Sequence, residues 1–326
     1  MSDLPVAVGP TTATTVGPSR SDKPVVAVVG PTATGKSDLG LALAERLDGE
    51  VVNADAMQLY RGMDIGTAKL PPAQRRGVVH HQLDVLDVRE EASVAAYQRH
   101  SRADIAAIHA RGHIVVLVGG SGLYLRAALD RLEIPPTDPA VRARLEAELA
   151  ERGVEDLRDR LIALDPAAAD AIEANNGRRI VRALEVVEIT GRPFSATMPT
   201  REHLLPTVLL GLGADRRVLD ERIDGRVRRM WQEGLVDEVR SLVPQGLRDG
   251  RTASKALGYH QALAQVDGTM TAEAAQLDTA TATRRYARRQ ESWFRADPRV
   301  VWLPHDAPDL LDQALAAVAA AGRMPA

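Results

Sequence analysis

Cysteine is absent from all 326 residues, which excludes disulfides and thiolate metal sites. Aromatic residues make up only 3%, so extensive stacking of bases on Phe, Tyr and Trp is not the expected route to any nucleic acid. No apolar run approaches the roughly 18 residues needed to cross a membrane, so no membrane partner is expected. The first 24 residues lack the basic start and apolar centre of a secretory signal. Rich in Thr, Ser, Pro and Gly, they read as a flexible tail, and a cytoplasmic location is expected. A large excess of one charge is missing too: the net charge is −3, a sum that hides dense local arginine clusters. What is present is an ordinary globular balance, 45% hydrophobic and 26% charged, long enough for one large domain or two of common size.

The apolar pattern alternates between two periods. Residues 25–30 form a β-branched run ending at Gly30, the mark of a buried parallel strand. Leu39, Leu43 and Leu47 then follow at helical spacing from Lys36 onward. Further strands are predicted at 50–55, within 80–88 and at 113–120, with a helix capped by Ser93 and ended by Gly112 between the last two. From 132 to 195 no strand is predicted. Asp138 and Pro139 open a helix, and more helices follow, interrupted at Pro166 and around Asn175–Gly177. Strands resume at 207–215 and 300–304, separated by one long helix over 216–243 and another over 271–296. The fold class this predicts is α/β, a parallel sheet core flanked by helices with an all-helical insertion. The boundaries are 25–131 and 196–304 for the core, 132–195 for the insertion, a flexible tail at 1–24, and an alanine-rich C-terminal helix or tail at 305–326.

Gly30, Pro31, Thr32, Ala33, Thr34, Gly35, Lys36 and Ser37 complete G-x-x-x-x-G-K-[ST] between a predicted strand and a predicted helix. The glycines let backbone N–H groups turn in around phosphate oxygens, the helix N-terminus and Lys36 add positive charge, and Ser37 can ligate Mg²⁺. Which phosphate compound binds is left open by the motif. Asp55 ends the second strand on the edge where open α/β sheets place ligands, and reads as a general base, a water-mediated Mg²⁺ holder or a helix cap. Gly119, Gly120 and Ser121 end another strand on that edge, either as a site where a hydroxyl meets a ligand or as a tight serine-capped turn. Lys69 reads as a solvated lysine, and the adjacent His80 and His81 as structural. Arginines pair at i and i+4 in three runs (178–182, 222–229 and 284–289), a pattern that fits binding along a phosphate backbone.

Together these segments resemble the tRNA dimethylallyltransferases, also called tRNA isopentenyltransferases. The words that match are GPTATGKS, DAMQLYRGMDIGTAK, GGSGLYL, DPAVRARLE, RRIVRALEV, TGRP and KALGYHQ, in family order over about residues 25 to 303. The chain departs from the family at Ala56, usually Ser, and at Ser121, usually Thr. The resemblance implies that the loop 30–37 holds the diphosphate of dimethylallyl diphosphate, with Arg222 or Arg226 adding charge and Mg²⁺ on Ser37. It implies transfer to N6 of the adenosine 3′ of the anticodon, position 37 of the tRNA, with Asp55 as the base and Ser121 positioning the amine or the diphosphate. By motif match, Ala56, Met57 and Gln58 meet the flipped region of the anticodon stem-loop. Arg142, the segment Arg178, Arg179, Ile180, Val181 and Arg182, and the segment Lys255, Ala256, Leu257, Gly258, Tyr259 and His260 would grip the tRNA. A monomer is expected. Three rival readings remain: a P-loop kinase, for which Asp84 is the candidate second Mg²⁺ ligand; a prenyltransferase acting on free AMP; and a non-catalytic RNA-binding protein.

Overall fold

The central strand β1, Val25–Val29, is buried along its whole length, as its unbroken β-branched sequence predicts for a strand covered on both faces. In the computed structural model, which describes residues 23–197 and 201–321, it is followed by α1 (Lys36–Arg46), β2 (Gly49–Asn53), β3 (His80–His81), α2 (Val94–Ala110), β4 (Ile114–Val118) and α3 (Gly122–Leu129). Three helices come next: α4 (Pro139–Leu164), α5 (Pro166–Ala171) and α6 (Gly177–Thr190). The chain then returns through β5 (Thr207–Gly213), α7 (Arg216–Gln232), α8 (Leu235–Leu242), α9 (Tyr259–Val266), α10 (Ala272–Arg295), β6 (Val300–Pro304) and α11 (Leu310–Ala321).

All strands are parallel, in the order β3-β2-β4-β1-β5-β6. The sheet is thus the expected α/β core. Helices α2, α3 and α10 cover one face, around Ile105, Leu125 and Phe294. Helices α1 and α11 cover the other, around Leu39, Leu43, Ala314 and Val318. The alanine-rich C-terminal helix is therefore part of the core packing as far as Ala321. All but the last two residues of the segment 1–24, and residues 322–326, lie outside the described residues.

Helices α4, α5 and α6 share a separate apolar cluster, including Leu145, Leu157, Leu161, Ile180 and Leu184. The chain leaves for these helices and returns from them at one point. Asp130 bridges His203 antiparallel, Arg131 N–H donates to the Glu202 carbonyl at 2.8 Å, and Leu204 N–H donates to the Leu129 carbonyl at 2.8 Å. Arg299 completes this neck with bonds of 2.8 and 3.1 Å to the buried Asp130 carboxylate.

One expectation on helix length fails at a glycine. The long helix predicted over 216–243 is two, because Gly234 adopts φ 99° and breaks the ladder between α7 and α8. Helix α4 is likewise interrupted at Gly153, with φ 84°. In both places the apolar positions jump at the break, from Met230 to Leu235 and from Leu149 to Val154, and glycine supplies the left-handed backbone at little steric cost.

Candidate active site

The loop between β1 and α1 is shaped by backbone that few residues tolerate. Gly30 adopts φ 129°, and a Cβ there would lie 2.7 Å from the Leu212 carbonyl oxygen of β5. Gly35, with φ 90°, leads into α1, whose N-terminus points its free N–H groups at the concavity of the loop. Lys36 folds back over the loop, its Nζ donating to the Pro31 carbonyl at 2.5 Å. Burial, reinforced by the nearby Arg226 guanidinium and only partly opposed by Asp55, pulls the ammonium down to about 7. An anion brought into the loop removes that penalty.

Two arginines of α7 close over the loop. Arg222 Nε donates to the Ala33 carbonyl at 2.7 Å, and Arg226 reaches Thr32 Oγ1 at 3.1 Å and the Thr67 carbonyl at 3.3 Å. Both expected arginines therefore stand at the phosphate loop, one turn apart on the same helix face.

Asp55 is held by its neighbours rather than by the loop. The Asn53 side chain accepts the Asp55 N–H at 3.0 Å and donates to the Asp55 and Gln82 carbonyls at 2.9 Å each. The Tyr97 hydroxyl donates to the Asn53 carbonyl at 2.8 Å. Asp55 Oδ1 accepts the Met57 N–H at 2.9 Å, capping the short turn Ala56–Leu59. The cap reading of Asp55 is thus correct for one oxygen. The Asp55 charge is also felt at Lys36, Arg226 and Tyr286, so the carboxylate faces the cationic loop.

Gln290 of α10, absent from the sequence expectations, clasps the two glycine turns together. Its Oε1 accepts the Thr32 N–H and its Nε2 donates to the Gly120 carbonyl, both at 2.9 Å. A Cβ on residue 120 would fall 2.1 Å from that amide nitrogen, which explains why a glycine stands there. Ser121 begins α3 and its hydroxyl makes no capping bond. The turn-with-serine-cap reading therefore fails on its cap.

These parts line one cleft, walled by Thr32, Lys36, Ser37, Asn53, Asp55, Gln58, Thr67, Gly119, Gly120 and Arg226. His80, read as structural, also borders it, with its Nδ1 2.9 Å from the Val78 carbonyl. His81 lies 2.7 Å from the Glu50 carboxylate, which Arg111 also grips; that Arg111 contact holds Glu50 below the usual range.

Several expected tRNA contacts lie elsewhere. Ile180 and Val181 are buried in the helical cluster, so their side chains are closed to any ligand. Arg142 and Arg182 both pair with the fully buried Glu185, a packing role that an arginine run does not distinguish from RNA binding. Arg178 and Arg179 are exposed on α6. In the segment 255–260, Lys255 and His260 are exposed and Leu257 is half-buried, but Ala256, Gly258 and Tyr259 are buried. Met57 packs against the cluster around Tyr60 and Leu235, and Ala56 against the sheet. Gln58 lines the cleft and donates to the Thr67 carbonyl at 3.1 Å. Lys69 is not solvated: its Nζ is buried between Asp64 and Asp84, 2.6 Å from each. On α10, Arg284 and Arg288 pair with Asp224 and Asp220 of α7.

Known proteins resemble this chain over most of its length. The family model described as IPP transferase matches residues 58–297. A tRNA dimethylallyltransferase of Thermobifida fusca is 64% identical over 299 residues, covering 90% of this chain and 94% of its own. One from Streptomyces avermitilis is 63% identical, covering 88% and 92%. Among solved structures, the full-length tRNA isopentenylpyrophosphate transferase of Bacillus halodurans aligns with TM-score 0.69 at 40% identity, covering 92% of this chain and 97% of that one. A eukaryotic dimethylallyltransferase captured acting on tRNA aligns with TM-score 0.77 at 26% identity, covering 91% and 77%. Identity at this level, over about nine tenths of the chain, makes the chain a member of the IPP transferase family, the tRNA dimethylallyltransferases.

Proposed function

We propose that this protein transfers the dimethylallyl group of dimethylallyl diphosphate to N6 of the adenosine 3′ of the anticodon, position 37, in tRNA, releasing diphosphate and forming N6-(dimethylallyl)adenosine. One observation carries the reading: a carboxylate, Asp55, shares a cleft with a phosphate loop, Lys36 and Arg226. Departure of diphosphate from an allylic carbon builds negative charge on the leaving oxygens. Lys36, the loop amides, Arg222 and Arg226 would stabilise it. The adenine amine is a weak nucleophile, and Asp55 accepts its proton as the C–N bond forms. Ser121, at the start of α3, orients the amine or the diphosphate.

Ser37 stands beside Lys36 in the first turn of α1 at the cleft, and among the described residues no group of three or more His, Asp or Glu could hold a metal ion by itself. That donor set fits Mg²⁺, which takes one or two protein oxygens and completes its shell with phosphate and water. Mg²⁺ held by Ser37 would neutralise charge on the departing diphosphate.

The acceptor has to leave the anticodon-loop stack to reach a cleft at the sheet edge, as target bases do in base-flipping enzymes. Gln58 at the cleft, with Ala56 and Met57 beside it, meets the flipped region. Exposed Arg178, Arg179, Lys255 and His260 supply backbone contacts, and the helices beyond the neck, residues 132–195, form the tRNA-gripping insertion. We read the enzyme as a cytoplasmic monomer; among the described residues no helix is long and apolar enough to cross a membrane. The kinase reading is weakened because Asp84, its second acid, is held by Lys69.

The test is incubation with Mg²⁺, radiolabelled dimethylallyl diphosphate and unmodified tRNA. Label is expected in the tRNA, and is expected to vanish when the anticodon-adjacent adenosine is changed to guanosine. Comparable labelling of AMP would favour the free-nucleotide reading, and phosphate moved from ATP the kinase reading.

A further inference from the structure

Three consecutive backbone N–H groups converge on one carboxylate. Glu238 of α8 accepts the amides of Asp64 and Ile65 on Oε2 at 3.1 and 2.8 Å, and that of Gly66 on Oε1 at 3.4 Å. The hydroxyl of Tyr259, at the start of α9, donates to the same Oε1. Successive amides aimed into one concavity form an anion nest, filled here by a side chain 174 residues from Asp64. Bonds to an ionised acceptor are roughly twice as strong as neutral ones. Shape reinforces charge: a Cβ on residue 66 would lie 2.4 Å from the Tyr259 ring, which is itself fully buried.

The loop so held leads directly into the cleft. The carbonyl of Thr67, the next residue, receives both Gln58 Nε2 and the Arg226 guanidinium, and Arg226 continues to Thr32 of the phosphate loop. Beyond it, Lys69 ties the far flank of the loop to Asp64, Asp84 and the Tyr60 carbonyl. The Thr67 carbonyl is therefore fixed from both sides, and Glu238 supplies the near side.

We propose that Glu238 is a positioning residue for the transfer reaction: by filling the amide nest at 64–66 it sets the Thr67 carbonyl, and through it the placement of Arg226 and Gln58. The proposal rests on the reading of the cleft as a prenyl diphosphate site with Arg226 on the diphosphate. It also gives the buried Tyr259 a task, holding Glu238 rather than touching RNA.

The experiment compares Glu238→Gln, Tyr259→Phe, Arg226→Ala and the Glu238→Gln/Arg226→Ala pair, following transfer kinetics and binding of inorganic diphosphate by calorimetry. Glu238→Gln removes the charge and keeps one acceptor oxygen, but sets an NH2 donor against at least one of the three N–H groups. It is expected to raise the donor KM and the diphosphate Kd about tenfold while kcat changes less than about threefold. Tyr259→Phe keeps the ring against Gly66 and is expected to shift both in the same direction by less, so it carries the test if Glu238→Gln does not fold. In the double variant, Glu238→Gln is expected to add nothing to the loss caused by Arg226→Ala. A carboxylate that merely holds the fold would lower kcat and the melting temperature, leave the donor KM unchanged and give additive losses; that result overturns the proposal. Weaker diphosphate binding in Glu238→Gln, with no transfer to tRNA even by the unsubstituted enzyme, would uphold the positioning role and instead remove the reading of the cleft.

Discussion

Donor binding should be proton-linked, and Lys36 sets the sign. In the free enzyme its ammonium sits at about 7 because it is buried beside Arg226. At pH 8 about nine in ten molecules carry it neutral. A diphosphate in the loop supplies the opposite charge that is missing and lifts the group back above the working range. Binding at pH 8 then takes up about 0.9 proton at Lys36, so affinity falls as pH rises. Between pH 7 and 9 the loss is on the order of 50-fold, or about 2 kcal/mol, until the pKa of the bound state is reached. The folded ligand-free enzyme behaves oppositely. Its lysine binds fewer protons than an unfolded one at 10.5, so this group adds stability as pH rises from 7 toward 10.5. The assay is calorimetry of dimethylallyl diphosphate at pH 7, 8 and 9 in buffers of different ionisation enthalpy, repeated on Lys36→Met to subtract the ligand's own ionisation. Flat affinity over that range, with no difference in proton uptake between enzyme and variant, would refute the reasoning.

Asp55→Asn keeps an oxygen to cap Met57 and removes the base; kcat should fall by about 10²–10⁴ with the donor KM held within a few-fold, and undiminished label transfer at saturating substrates would sink the assignment. Leu161→Ala, at a fully buried position of the helical cluster, should cost about 3 kcal/mol by denaturant titration and raise the tRNA KM. Diphosphate binding measured beside it should stay within about twofold, and parallel loss of both would contradict the division of labour. Replacing Arg178 and Arg179 together by alanine should flatten the plot of log tRNA affinity against log salt by about one to two units of slope, which filter binding at several salt concentrations would read; an unchanged slope removes α6 from the interface.

How much of this was legible in the sequence depended on how local each signal was. The strands around β1 and the phosphate loop could be read because β-branched runs, glycine and the Lys36–Ser37 pair fall within a dozen residues. The strand expected within 80–88 is His80–His81; its end could not be placed, because the chain turns off the sheet edge without a glycine or proline to mark it. Gly234 looked like one tolerated glycine in a helix. Lys69 looked solvated, since nothing nearby announces that Asp64 and Asp84 both turn toward it. Glu238 and Gln290 were invisible for a deeper reason. Each bonds backbone groups more than 160 residues distant, and a backbone amide leaves no residue-type signature for its partner to match. Arg142 and Arg182 both pair with the buried Glu185, a partner that a charge run in the sequence does not announce.

The neck at Asp130 and His203 has a consequence for how such an enzyme changes its clientele. Across an antiparallel bridge the two backbones lie about 5 Å apart, close enough for a two-residue turn to join them. Everything between them, with its own apolar cluster, hangs from the sheet by a single hinge-width of chain. Helices there can be lengthened, exchanged or trimmed through that junction without disturbing the strands that carry Lys36 and Asp55. On the function proposed above, part of the acceptor surface is thereby open to divergence, while the donor site stays bound to the geometry of the sheet.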